Sequence, residues 1–209
     1  MVKVLIVDDH PIVRRGVAEV LEERFPSVTL GRTGKIPEAR RLLDEEQWNL
    51  VLLDISLRES KGLDFLKEIV ASHPDTKVLV LSIYSVEHYG VRALKAGASG
   101  YLNKACEEED LCRAVQHCLG GQRYITPELA EVLTKQVLGN EPGALHRGLS
   151  DREFLVMCLL AEGKTVGSIA IELNLSPKTV STYRTRLMKK MGFDTDVKLI
   201  RYALENRLV

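Results

Sequence analysis

Three carboxylates stand where two apolar runs stop. Val2-Lys3-Val4-Leu5-Ile6-Val7 ends on Asp8-Asp9, and Leu50-Val51-Leu52-Leu53 ends on Asp54. Runs of this kind read as buried parallel strands, apolar on both faces because helices cover both. In an open α/β sheet the carboxyl ends of the strands form the ligand-binding edge. Carboxylates gathered there repel one another unless a cation lies between them. Oxygen donors suit Mg²⁺, which keeps several of its waters and works beside phosphate. The pattern therefore predicts a small acidic, Mg²⁺-dependent phosphate site at one sheet edge.

The elements that must position these groups alternate through the first ~125 residues. Further strands are expected at Val28-Thr29-Leu30, Lys77-Val78-Leu79-Val80-Leu81-Ser82 and Gly100-Tyr101-Leu102. Val13, Val17, Val20 and Leu21 share one face of a first helix, and four more helices are expected near residues 36–46, 62–72, 86–96 and 107–119. Strands and helices alternating five times over predict a doubly wound parallel α/β sheet. Gly120-Gly121 ends the fifth helix as glycine commonly does.

Another helix, over 126–138, opens at Thr126-Pro127, and Gly139-Asn140-Glu141-Pro142-Gly143 has linker composition. From Leu149 onward no strand pattern remains. Ser150-Asp151-Arg152-Glu153 has the form of a capping box. A second short helix puts Val166, Ile169, Ala170 and Leu173 on one face; Asn174-Leu175-Ser176 reads as a turn, and Pro177 suits the first position of a third helix. A last helix is expected over about 196–206. The expected division is 1–122, then a helical connector and linker over 123–148, then a small all-α domain over 149–209.

Composition agrees with this plan. The 209 residues are 45% hydrophobic and 28% charged, as in soluble globular proteins. No apolar run approaches the roughly 18–20 residues of a membrane span. Met1-Val2-Lys3 passes straight into a strand and leaves no room for a signal peptide, so a cytoplasmic protein is expected. Cys106, Cys112, Cys118 and Cys158 lack paired metal spacing and read as reduced thiols. Zero net charge conceals an uneven distribution: residues 1–125 carry 17 Lys+Arg against 19 Asp+Glu, and the remainder 12 against 10. Residues 173–193 hold Lys178, Arg184, Arg186, Lys189 and Lys190 with no acid, which points to a polyanion.

Asp8-Asp9, Asp54, Ser82 and Lys104 resemble the site of a two-component receiver domain over residues 1 to about 120, with Gly62 and Tyr101 at matching positions. The resemblance implies strand order 2-1-3-4-5 and an Asp54 phosphorylated by a histidine kinase or a small phosphodonor. It implies Mg²⁺ held by the side chains of Asp9 and Asp54, by the Ser56 backbone carbonyl, and by Asp8 through water. Lys104 and Ser82 would contact the phosphoryl group, and Tyr101 would complete a switch. Acidic residues at strand ends often serve only as caps or turn formers, but that explains one such residue and not four spaced matches. Dehalogenase-type phosphatases also form an aspartyl phosphate after a strand; they need Asp-x-Asp, which Asp8-Asp9-His10 does not offer. His10 reads as an ordinary loop residue. Arg58 and Ala105 stand where many receivers have proline, and Ile83 where many have a small side chain, departures that bear on the rates of phosphoryl gain and loss.

On a helix at ~100° per residue, Lys178, Ser181, Thr182, Thr185 and Lys189 share a polar face. Val180, Tyr183, Leu187 and Met191 share the opposite one, and Arg184 and Arg186 flank it. A recognition helix requires such a division: an apolar side against partner helices, a polar side toward base edges, and flanking arginines on phosphates. A solvated basic helix would show the same faces, but the preceding helix, the turn and Pro177 argue for recognition. Leu149–Glu153, Ile169-Ala170, Leu173, Leu175-Ser176 and Lys178–Tyr183 resemble the LuxR-type helix-turn-helix. Receiver and effector together resemble the NarL/FixJ family of response regulators. That implies a phosphorylation-controlled transcription regulator and not an enzyme, binding double-stranded DNA as a homodimer when active. A sensor histidine kinase would act upstream, RNA polymerase would be a further partner, and no membrane is involved. Val197, Ile200, Ala203 and Leu204 are spaced as a packing face for pairing, though some must serve the domain's own core. The other reading, a receiver whose helical tail binds protein, is separated from this one by a salt-dependent gel shift.

Overall fold

The computed structural model describes residues 2–57, 62–137, 145–206 and 208–209. Arg58 and the expected linker 139–143 lie outside the described residues. Two compact units divide the chain, one spanning Met1–Leu57 and Lys61–Thr134, the other formed chiefly by Lys135–Val209.

In the first unit β1 (Val2–Val7), β2 (Val28–Thr33), β3 (Leu50–Asp54), β4 (Lys77–Ser82) and β5 (Gly100–Asn103) form one parallel sheet of order β2-β1-β3-β4-β5. This is the doubly wound order expected. Helices α1 (Pro11–Arg24), α2 (Ile36–Glu45), α3 (Gly62–Ser72), α4 (Val91–Lys95) and α5 (Glu108–Leu119) alternate with the strands. Every residue of β3 is buried, which accounts for its unbroken apolar run. Val4, Ile6, Leu50, Leu52, Leu79 and Leu81 pack with Leu21 of α1 and Leu111 and Val115 of α5 in a common core. The register sets Val7 beside Leu53 and Ser82 beside Asn103, so Asp8, Asp54 and Lys104 leave the sheet at one edge. β2 runs three residues further than its apolar pattern, because an edge strand with one polar face pairs through Arg32 and Thr33 despite turn-like residues.

The segment near residue 90 departs from a regular helix. A π-helical turn over Val86–Gly90 leads into α4, and the residue types there carry no signal for it. Gly62, at the start of α3, has no room for a side chain: a Cβ would lie 2.3 Å from Ile55 Cα. Glycine therefore lets the end of β3 and the start of α3 approach closely. Beyond α5 the chain returns to the sheet edge, where the Tyr124 N–H donates to the Ser99 carbonyl at 2.8 Å. Helix α6 (Pro127–Val137) follows, with Leu129 fully buried.

The second unit holds α7 (Asp151–Ala161), α8 (Val166–Glu172), α9 (Pro177–Met191) and α10 (Asp196–Glu205). Each begins on a hydroxyl N-cap that accepts a backbone N–H: Ser150, Thr165, Ser176 and Thr195. Asn174 takes a left-handed φ of 50° in the turn between α8 and α9, a conformation asparagine tolerates better than most residues. Phe154, Met157, Ile169, Val180, Leu187 and Leu199 are buried. Among the described residues, no helix is long and apolar enough to cross a membrane.

The Ser150–Glu153 capping box is closed and extended. Glu153 Oε2 accepts from the Ser150 N–H at 2.8 Å, the Ser150 hydroxyl at 2.9 Å and Lys190 Nζ at 2.6 Å. Burial acts to raise this carboxyl, but the donors of Lys190 and Ser150 outweigh it and hold it below its ordinary range. A lowered carboxyl stabilises the fold above its unfolded pKa, and that contribution is lost as the pH falls through the folded value. Glu153→Gln is expected to cost the second unit about 1–3 kcal/mol at neutral pH, since charged hydrogen bonds are lost in a buried place. Urea denaturation of variant and parent checks this, and the gap between them should narrow on acidification.

Candidate functional site

At the carboxyl edge of the first unit the expected acidic groups meet. Lys104 Nζ, nearly buried, lies 2.6 Å from Asp54 Oδ2 and 2.7 Å from Asp8 Oδ2. The Ser56 N–H donates to Asp54 Oδ1 at 2.7 Å, so both oxygens of this carboxylate are held. The β4–β5 pairing brings the lysine in: its own N–H donates to the Ser82 carbonyl at 2.9 Å. Burial raises the Asp54 carboxyl above the usual range, and the charge and hydrogen bond of Lys104 oppose that rise. Asp8 and Asp54 are almost wholly buried, whereas Asp9 is half-buried. Asp8, Asp9, His10 and Asp54 each offer a ligand atom, all within 4.8 Å of one another. A donor set made mainly of carboxylate oxygens fits a hard cation such as Mg²⁺.

Ser82 is buried beside this cluster. Its Oγ lies 3.1 Å from Ser56 Oγ and accepts from the Tyr84 N–H at 3.2 Å. Tyr101 is fully buried, and its hydroxyl donates to the Tyr84 carbonyl at 2.9 Å. Ser82 and Tyr101, expected to work together, therefore hold the same residue from two sides. Ile83 is 60% exposed at the rim. Ala105 donates its N–H to Asn103 Oδ1 at 2.8 Å, a bond that a proline there would lack.

Two neighbours of the site are not evident from the sequence. His10, expected to be an ordinary loop residue, sets Nδ1 3.0 Å from Asp9 Oδ1 and 3.2 Å from Asp8 Oδ1. Its position directly after Asp8-Asp9 is the signal that could have found it. The Arg14 guanidinium donates to the Asp8 carbonyl, one helical turn beyond Pro11. The cysteines are free thiols, and burial pushes Cys118 up to about 11, which leaves it unreactive.

In the second unit α9 presents two faces. Val180, Leu187 and Met191 are buried and Tyr183 half-buried; Met188 joins the buried side, beyond the residues expected there. Lys178, Ser181, Thr182, Thr185, Arg186 and Lys189 are exposed. The Thr182 and Thr185 hydroxyls donate to the carbonyls of Lys178 and Ser181, four residues back, at 2.9 and 3.0 Å. Arg184 is engaged differently from Arg186: its Nε and Nη2 lie 2.9 and 2.8 Å from Asp196 Oδ1, at the start of α10. On α10 the expected packing face splits, with Ala203 in the core beside Leu199 while Val197 and Leu204 are 74% and 59% exposed.

Comparison with known proteins agrees with both halves. Residues 4–116 match the response regulator receiver domain, and residues 147–203 match the bacterial regulatory proteins of the luxR family. The response regulator GacA of Pseudomonas aeruginosa is 33% identical over 100% of this chain and 98% of its own. The response regulator UvrY of Escherichia coli is 31% identical over 100% of this chain and 96% of its own. Among solved structures, RcsB from Salmonella enterica serovar Typhimurium, bound to promoter rprA in the presence of phosphomimetic BeF3⁻, aligns with a TM-score of 0.65 at 27% identity. That alignment covers 96% of this chain and 97% of the RcsB chain. The response regulator ChrA of a heme-sensing two-component system aligns with a TM-score of 0.52 at 29% identity, covering 100% and 98%. The chain belongs to the NarL/FixJ family of response regulators: a two-component receiver joined to a LuxR-type helix-turn-helix DNA-binding domain.

Proposed function

We propose that this regulator is phosphorylated on Asp54 with Mg²⁺ and, once phosphorylated, dimerises to bind two half-sites on double-stranded DNA. The observation that carries the first half is the Lys104 bridge between Asp8 and Asp54. It supports a carboxylate kept ionised in a buried place, as a nucleophile must be. Asp54 attacks the phosphorus of a phosphohistidine in the sensor kinase, or of a small phosphodonor; an O–P bond forms and the leaving group departs with its electron pair. Asp9 and Asp54 would hold Mg²⁺ directly, with the Ser56 carbonyl, and Asp8 through water; bound there, the ion would neutralise charge on the transferred group. Lys104 stays beside the carboxylate it bridges, and Ser82 turns its hydroxyl to donate to the new phosphate. Tyr101 then reports the change through the Tyr84 backbone, which both it and Ser82 hold.

For the second half, the RcsB complex with DNA and the exposed basic face of α9 support the interface. Lys178, Ser181, Thr182, Thr185 and Lys189 would face base edges, and Arg184 and Arg186 the phosphates. Arg184 would reach a phosphate only by exchanging Asp196 for it, so its contribution should be the smaller of the two. The exposed Val197 and Leu204 of α10 supply an apolar contact for a second copy, since one helix reads too few base pairs to select a site. The solved structure of two RcsB dimers bound to two parallel DNAs supports the pairing by analogy. Arg186→Ala is expected to weaken specific and random DNA alike, by about one phosphate contact in the salt slope, whereas Thr185→Ala should alter preference at particular base pairs. Fluorescence anisotropy across a salt series on both DNAs tests this; equal losses for every variant on both would contradict the orientation. RNA polymerase is the further partner proposed for the DNA-bound regulator, whether it activates or represses, and a pull-down on promoter DNA tests it.

A further inference from the structure

His10 stands at the N-cap of α1, where Ser, Thr, Asn and Asp ordinarily satisfy a free backbone N–H, yet its side chain makes no cap bond. The backbone is fixed on both sides of it. Pro11 begins the helix, and the His10 N–H donates to Asp8 Oδ1 at 2.8 Å. The ring turns away from the helix end and toward the acidic edge. Its Nδ1 lies 3.0 Å from Asp9 Oδ1, 3.2 Å from Asp8 Oδ1 and 4.0 Å from Asp54 Oδ2.

These separations match ligands arranged around one ion. Donor atoms ~2.1 Å from a shared octahedral centre stand ~3.0 Å apart at right angles and ~4.2 Å apart when opposite. The two oxygens of Asp8 and Asp9 meet the first separation, and the Asp54 oxygen approaches the second. A neutral imidazole carries its proton on either nitrogen. With the proton on Nδ1 the ring donates to these carboxylates. With it on Nε2, the Nδ1 lone pair faces the same point as they do.

We propose that His10 is a ligand through Nδ1 at the cation site, beside Asp9 and Asp54, and that it selects a transition ion of the Co²⁺ or Zn²⁺ class over Mg²⁺. The inference rests on the acidic edge being a cation site and names the ion that the site prefers. Oxygen-only donor sets suit Mg²⁺, whereas an imidazole nitrogen adds affinity for the later first-row ions. Mg²⁺ still serves where it is the more abundant ion, because selection in a cell depends on availability as well as affinity. The competing role for the ring is a hydrogen bond that merely holds the carboxylates in place for any cation. Asparagine separates the two roles: its amide donates to a carboxylate as the ring does, but it offers an ion only oxygen.

Calorimetric titration of the full chain with Co²⁺, and separately with Mg²⁺, tests this. His10→Asn and His10→Ala should each bind Co²⁺ at least about 10-fold more weakly than the parent, with Mg²⁺ affinity changed by less than about 3-fold. The chain holds five histidines, so proton NMR at one equivalent of Co²⁺ identifies the nitrogen. The parent should show one exchangeable imidazole N–H resonance shifted far outside its ordinary range and absent from both variants. Parental Co²⁺ affinity in His10→Asn would overturn the proposal, as would an equal loss of Co²⁺ and Mg²⁺ affinity. A shifted resonance that persists in His10→Ala would assign the nitrogen to another histidine and overturn it as well. If neither ion binds the parent chain, the cation site itself fails and takes the proposal with it.

Discussion

Asp54→Asn is expected to carry no detectable acyl phosphate after incubation with acetyl phosphate or phosphoramidate and Mg²⁺, while the parent chain is modified at that residue. An amide has no anionic oxygen to attack phosphorus. Asp8 is also buried and shares Lys104 with Asp54, so locating the modified residue distinguishes the two carboxylates. The variant should remain folded. Burial raises the Asp54 carboxyl, so its ionised form opposes folding at neutral pH, and that penalty is relieved as the pH falls through the folded value. A neutral side chain of the same shape removes the penalty at all pH values. Without Mg²⁺ the melting temperature of Asp54→Asn should therefore equal or exceed that of the parent. Peptide mapping by mass spectrometry locates the phosphate, and undiminished aspartyl modification in the variant would remove Asp54 from its role.

Lys104→Ala should produce the largest loss of stability of any single change at this site. It leaves the carboxylates of Asp8 and Asp54 buried against each other with their shared ammonium gone. Breaking a buried ion pair from one side costs about 3–5 kcal/mol. Part of that loss should be recoverable by a different cation. Mg²⁺ is expected to raise the melting temperature of Lys104→Ala more than that of the parent, because it meets two carboxylates with no competing ammonium. A variant that melts with the parent, with and without Mg²⁺, would show that Lys104 does not carry this charge balance. Its phosphorylation should persist at a reduced rate, since the nucleophile is intact, yet the response to phosphorylation should be weak.

Much of this arrangement is readable in the residues, for definite reasons. β1 and β3 are buried among helices, so their runs are largely apolar and the acids that end them stand out. The faces of α9 are legible because one side packs on its own unit and the other does not. Less legible are features set by partners distant in sequence. β2 is an edge strand, and Gly31-Arg32-Thr33 belongs to it only because β1 pairs with it through Thr33. The π-helical turn at Val86–Gly90 has no signature in its residue types. Arg184 and Arg186 look alike in the sequence, and only the fold brings Asp196 of α10 to within 2.8 Å of the first. Leu129 is buried with its side chain against Gly90, thirty-nine positions earlier, and no local pattern announces such a pairing.

The control of DNA binding by phosphate on Asp54 is tested most directly by one titration. DNA fragments enriched from genomic DNA by the phosphodonor-treated chain serve as the ligand. Anisotropy then gives the affinity of the full chain before and after treatment with phosphoramidate and Mg²⁺, for the parent and for Asp54→Asn. The expected result is binding at least about 10-fold tighter after treatment, a shift of about 1.4 kcal/mol or more, for the parent alone. The contradicting result is equal affinity before and after treatment, or the same gain in Asp54→Asn.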